Sequence, residues 1–153
     1  MPDLLAFALG AHRFALPAEA VVEVVRLVAS APLPGAPAMV EGVVNVRGTL
    51  VPALDLRARF GFAPAEADPD DHLIFARAGP RLVALHVDRA LDLISVPDEA
   101  VEPVESVAPG TRLVAGVARL PDGVLVIQDL ERFLSLDEGA RVDAALAATA
   151  QGR

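Results

Sequence analysis

The chain has 153 residues, 54% of them apolar and 22% charged. That length suits one ordinary domain, or two small lobes sharing a core. Thirteen arginines stand against 21 acids, for a net charge of −8, a balance that repels a phosphate backbone and argues against nucleic-acid binding. Cysteine is absent, which excludes disulfides, thiolate metal sites and thiol nucleophiles. Lysine is absent too, which excludes Schiff-base chemistry and the P-loop lysine. With no Trp or Tyr, stacking platforms for bases or sugars lose their usual side chains.

The start, Met1-Pro2-Asp3-Leu4-Leu5, lacks the basic leader and long apolar run of a signal peptide. Glu23, Arg26, Glu41 and Arg47 interrupt the apolar stretches well short of the ~18 residues a membrane helix needs. A cytoplasmic protein without direct membrane insertion is expected. Leu5–Leu9 and Phe14–Leu16 flank a short break at Gly10 and read as a hairpin. Val21–Val25 is short and β-branched, hence a strand. Ser30–Pro37 carries three prolines and a glycine and reads as an irregular connection. Val43–Arg47 and Leu50–Leu54 flank Gly48-Thr49 as a second hairpin. Pro52 should push its strand to a sheet edge or into a bulge. Leu56–Phe60 suits a single helical turn, with Asp55 as N-cap and Gly61 beyond its end. Ala63–Asp71, acidic and proline-bearing, reads as the linker between halves.

The pattern then repeats. Phe7–Leu16 matches Phe75–Ala84 at an offset of 68, with Phe on Phe and Arg on Arg. Gly42–Asp55 and Gly116–Asp129 both begin Gly-Val, reach a turn glycine (Gly48, Gly123) and end in Asp-Leu. Two copies of a strand-rich unit imply two small β lobes with pseudo-symmetry. Arg141–Ala150 is Ala-rich, with Val142, Leu146 and Thr149 at helical spacing. A terminal helix, docked or frayed, is expected there.

Enzyme constellations are sparse. His12, His72 and His86 lack paired ligand spacing. His86 and Asp88 share a strand face, a signal that fits a structural role better than a metal site. Asp55 and Asp129 occupy equivalent places and invite an aspartic-dyad hydrolase reading. No Asp-Thr-Gly or Asp-Ser-Gly context supports it, and each Asp precedes a helical stretch that a carboxylate would cap. In Val43–Arg47, alternation puts Val44 and Val46 on one face and Val43, Asn45 and Arg47 on the other. With Val44 and Val46 inward, an exposed strip of valine, amide and guanidinium results. Glu23 is a lone carboxylate among four valines. Either it pairs with Arg47, or both point to solvent.

The stretch Gly42-Val43-Val44-Asn45-Val46-Arg47-Gly48-Thr49-Leu50-Val51-Pro52-Ala53-Leu54-Asp55-Leu56-Arg57 resembles the CheW-like domain family. It fits that family's Gly-Val-x-Asn-x-Arg-Gly-x-x-x-Pro-x-x-Asp-Leu-Arg motif at every fixed position. Phe7–Gly10, Phe14–Pro17, Val21–Val24, Leu33-Pro34, Pro37, Val87-Asp88, Gly116-Val117 and Asp129-Leu130 extend the likeness over about residues 4–136. His86 and Gln128 depart from it, standing where apolar residues are usual. The resemblance implies an all-β fold: two small SH3-like five-stranded barrels around a shared core, with short helices and a C-terminal helix. It places the domain at 1–136, as two intertwined sub-lobes with a boundary near 62–72, and leaves 137–153 as a helical tail. It also implies a non-enzymatic adaptor without cofactor or metal, coupling the cytoplasmic tip of a chemoreceptor to the regulatory domain of the histidine kinase CheA. Such an adaptor works at receptor arrays on the inner face of the membrane. Receptor binding would use a groove between the lobes, through Glu23, Asn45 and Arg47 with Val43 nearby. Gly42, Gly48, Pro52, Asp55, Gly116 and Asp129 would be structural; no kinase-facing residues are implied. Three alternatives stay open: an adaptor of a pili or gliding pathway, the hydrolase using Asp55 and Asp129, and a small-ligand sensor in the groove.

Overall fold

The computed structural model describes residues 3–103, 114–121, 123–128 and 136–151. Strands dominate. The first half holds β1 (Asp3–Leu9), β2 (His12–Pro17), β3 (Val21–Arg26), β4 (Val40–Val46), β5 (Thr49–Asp55) and the short helix α1 (Leu56–Phe60). The second holds β6 (His72–Ala78), β7 (Arg81–Val87), β8 (Arg89–Ser95), β9 (Val101–Pro103), β10 (Val114–Leu120), β11 (Gly123–Gln128) and helix α2 (Leu136–Gln151). Residues 63–71, the expected linker, carry no helix or strand.

The sheets exchange strands between the halves. One runs β8-β1-β2-β11-β10-β9; the other runs β3-β6-β7-β5-β4. Each therefore combines a hairpin from one half with strands from the other. The pairing pattern repeats in both: β2 meets β11 in parallel as β7 meets β5, and β1 takes β8 on its outer side as β6 takes β3. The short β9 is an addition to the expected five strands.

Alternation explains why β1 is apolar from Leu4 to Leu9 and β6 from Leu73 to Ala76. Leu5, Phe7 and Leu9 of β1 meet Ile74, Ala76 and Ala78 of β6 in one shared core. Leu4 and Ala6 face the interior of the first lobe with Ala118, Leu125 and Ile127. Leu73 and Phe75 face the interior of the second with Val44, Val51 and Ala84. Both faces of these strands are buried, so both parities must be apolar.

This geometry corrects the repeat offset. The turn glycines Gly10 and Gly79 (φ 59° and 64°) close two-residue loops at Leu9↔His12 and Ala78↔Arg81, an offset of 69 rather than 68. Phe7 lies in the shared core, whereas Phe75 lies in a lobe interior. Aligning Phe on Phe slips the register by one and swaps the faces. The second pair of copies holds its offset of 74. Register shifts fall at Val40/Gly42 and at Val114/Gly116.

Pro52 needs a second correction. Its strand β5 is interior, between β7 and β4. Opposite Pro52 lies Val43, whose N–H and C=O both bond Ala31 on the outer side, at 2.7 and 2.9 Å. Directly opposed antiparallel residues exchange both ladder bonds or neither. The Val43–Pro52 pair is therefore of the second kind, and the missing N–H leaves no gap in that ladder. Pairing with β7 begins one residue later, at Ala53.

Candidate functional site

The motif-bearing hairpin β4–β5 turns at Arg47-Gly48, between the paired residues Val46 and Thr49. Both turn residues are left-handed, Arg47 at φ 52° and Gly48 at φ 88°. Positive φ at both centres is the mirror-image turn that suits the twist of a two-residue hairpin. The Asn45 side chain stabilises it, its Oδ1 accepting the Gly48 N–H at 2.8 Å. The motif's Asn-x-Arg-Gly thus has a local physical reason. It also leaves the Asn45 amide nitrogen and the Arg47 guanidinium at an exposed tip.

Of the expected strip, Asn45 and Arg47 are exposed, but Val43 is only 6% exposed. Val43 packs with Leu33 and with Ala145 of α2, bordered by Ala36, Val40, Leu50 and Leu146. Alternation read the face correctly, because Val44 does point into the lobe interior. It could not foresee that a helix from the chain's end covers the opposite side. Glu23 lies on β3, the far edge of the same sheet from β4. It is exposed, beside exposed Val22 and Val24. Glu23 and Arg47 form no ion pair with each other or with any other described residue. Of the two readings above, the structure favours the one in which both point to solvent.

The structural positions have their own reasons. Gly42 and Gly116 sit at equivalent bulges where another segment crosses: a Cβ would lie 2.4 Å from the Ala31 carbonyl oxygen in one and 2.7 Å from that of Glu102 in the other. Asp55 caps α1 by accepting the Ala58 N–H at 3.3 Å. Gly61 at φ 77° ends the helix, with the Phe62 and Gly61 N–H groups bonded to Arg57 and Ala58 carbonyls. The Asp55 carboxylate is therefore engaged as a cap. Asp129 lies outside the described residues.

Three groups of polar contacts were not legible in the sequence. Asp88 accepts both an Arg57 N–H from α1, at 2.7 Å, and the Gly10 N–H, at 2.6 Å. It ties α1 to the first hairpin. Next, α2 is held by Arg59–Glu138 at 2.6 Å and Arg81–Asp143 at 2.9 Å. The hydrogen bond from Arg81 keeps the Asp143 carboxyl below its ordinary range. Last, His86 lies between two acids. Its Nδ1 meets Glu41 Oε1 and its Nε2 meets Asp71 Oδ2, each at 2.7 Å. The Glu41 bond above all, helped by Asp71, outweighs burial and raises the imidazole from 6.5 to about 9. His86 thus stands in place of an apolar residue because two carboxylates meet it. Gln128 is buried; its Nε2 donates to the Val126 carbonyl at 3.4 Å, and its Oε1 has no partner among the described residues.

Two strand-exchanged β lobes, with a polar hairpin tip and no clustered metal ligands among the described residues, define a scaffold-type β domain. The chain belongs to the CheW-like domain family, whose model matches residues 3–138. It is 36% identical over 106 residues to the chemotaxis protein CheW of Rhizobium meliloti (strain 1021), covering 69% of this chain and 68% of that protein. It is 33% identical over 109 residues to chemotaxis protein CheW of Klebsiella aerogenes, covering 70% and 66%. Protein FrzA of Myxococcus xanthus is 30% identical over 95 residues, covering 62% and 59%. The crystal structure of the scaffolding protein TtCheW from Thermoanaerobacter tengcongensis superposes with a TM-score of 0.82 at 28% identity, over 90% of this chain and 96% of that one. Among the described residues, no helix is long and apolar enough to cross a membrane.

Proposed function

We propose that this chain is a non-enzymatic chemotaxis adaptor that couples a chemoreceptor's cytoplasmic tip to the regulatory domain of the kinase CheA, at arrays on the inner face of the membrane. The observation that carries the reading is the β4–β5 tip. There the family motif presents exposed Asn45 and a guanidinium, Arg47, without an ion-pair partner among the described residues. A free planar donor fork at an exposed hairpin tip suits the rim of a protein interface. The family membership and the scaffold name of the superposed structure support it. Glu23, on the opposite edge strand with exposed Val22 and Val24, belongs to the same proposed docking surface.

The test is binding of a soluble coiled-coil fragment of a receptor tip, by surface plasmon resonance. Arg47→Glu should weaken binding by roughly tenfold or more, the scale of a lost charged contact, with the circular dichroism spectrum unchanged. A chain that binds no tip fragment in either form overturns the proposal. The likeness to FrzA favours one second reading, an adaptor of another motility pathway. A pull-down from the native cell separates the two by the receptor and kinase recovered. The hydrolase reading predicts turnover abolished by Asp55→Asn. The adaptor reading predicts only lost stability, since that carboxylate caps α1.

A further inference from the structure

Val43, Leu33 and Leu50 sit on the outer side of the β4–β5 hairpin, away from the lobe interior that Val44 fills. Such a patch would face water if nothing lay on it. What lies on it is α2. This helix buries Gly139, Val142 and Ala145 and adds Leu146, a stripe at the three-to-four spacing of one helix face. Two arginines of the body, Arg59 and Arg81, flank the patch by pairing Glu138 and Asp143 of the helix. The patch therefore already has the form of a helix acceptor: an apolar floor with cationic clamps for carboxylates.

We propose that the surface beneath α2 is a helix-binding groove, that α2 is its occupant in cis, and that a partner's amphipathic helix takes the groove by displacing α2. The partner is of the same kind: small and aliphatic residues on one face, with carboxylates placed for Arg59 and Arg81. This rests on the receptor-tip reading above, since Val43 and exposed Asn45 alternate on one side of β4 and a helix that reaches from the tip to Val43 must move α2. The hold of α2 is suited to exchange. Among the described residues, α2 places on the floor only Ala145 and part of Leu146, and elsewhere its buried face adds only Gly139 and Val142. Gly139 lies within it, where a Cβ would press on the Arg81 guanidinium at 2.7 Å, and glycine weakens a helix interior. The Arg59–Glu138 and Arg81–Asp143 pairs are partly exposed, and pairs of that kind contribute little.

The native chain has no cysteine, so a latch can be built cleanly. An ideal Cβ on Gly35 lies 4.0 Å from that of Ala145, within disulfide reach. The full chain carrying Gly35→Cys and Ala145→Cys is compared oxidised and reduced; the reduced form controls for any strain at Gly35, whose φ is 85°. A second variant, Glu138→Arg with Asp143→Arg, loosens α2. Two probes are used: a synthetic peptide of residues 136–151, and the receptor-tip coiled-coil fragment. The peptide should bind the loosened variant and not the oxidised latch. The tip should bind the oxidised latch at least roughly tenfold more weakly than the reduced form, and should compete with the peptide. A peptide that binds no form, the loosened variant included, overturns the groove. Equal tip binding to oxidised and reduced chains overturns displacement while leaving the receptor reading intact. A tip that binds no form overturns the receptor reading and, with it, the partner assigned to the groove.

Discussion

Two glycines of the motif are required for different physical reasons, and substitutions separate them. At Gly42 the obstacle is space: a Cβ would sit 2.4 Å from the Ala31 carbonyl oxygen, which belongs to backbone bonded on both sides to Val43. Gly42→Ala should therefore destabilise by about 1–3 kcal/mol as the Ala31 crossing is forced outward, and thermal melts should fall by several degrees. At Gly48 nothing lies within 4 Å, and the obstacle is φ 88°. Gly48→Val should cost about 1–2 kcal/mol through the backbone alone, whereas Gly48→Asn, which tolerates the left-handed region, should cost less. Equal melting temperatures for Gly48→Val and Gly48→Asn would contradict the turn geometry. Arg47 already occupies that region at φ 52°. The Asn45–Gly48 hydrogen bond helps to hold that conformation, and the Arg47 side chain stays exposed.

At the scale of elements, the hairpins and α1 are legible because their signals are local: turn glycines, a capping Asp, a terminating Gly. The first hairpin, β3, the irregular 30–37 connection and the short helix all appear where the sequence places them. The failures are long-range. Pro52 marks an edge only if its N–H were needed, and whether it is needed depends on Ala31 bridging to Val43. The exposure of Val43 depends on a helix about a hundred residues later in the chain. The Phe-on-Phe alignment went wrong because residue identity outweighed turn position. Asp88 belongs to the same class: its Val-Asp motif was visible, its partner was not. It joins Arg57 of α1 to the Gly10 turn, and its own N–H bonds the Ala8 carbonyl. Asp88→Ala should remove both side-chain contacts and cost about 1–3 kcal/mol, the range for hydrogen bonds to charged groups. Chemical denaturation would read this as a lower midpoint at unchanged slope. A midpoint equal to that of the native chain would show that α1 and the hairpin are held without it.

At the scale of the molecule, exchanged strands and a shared core couple the two lobes, so a contact that joins distant segments acts on the whole. His86 is such a contact: from β7 it reaches Glu41 at the β4 bulge and Asp71, where the 63–71 segment meets β6. Asp71 also accepts the Asp68 N–H, at 3.0 Å, so the end of that segment is folded onto the imidazole. The Glu41 hydrogen bond above all, with Asp71 beside it, raises the imidazole's affinity for a proton, here to about 9 from an ordinary 6.5. The folded chain then binds more protons than the unfolded one between those two values, so stability falls with rising pH across that window. The contribution is fully present below pH 6.5 and lost as pH passes through about 9. For a half-buried clamp it is on the order of 2–3 kcal/mol. His86→Gln, which cannot take a charge, should be less stable near neutrality and should flatten the decline between pH 6.5 and 9. Urea melts of both chains at a series of pH values would measure it. A decline of the same steepness in His86→Gln would assign the pH dependence to other groups and remove the clamp from the forces that join the two halves of the chain within that sheet.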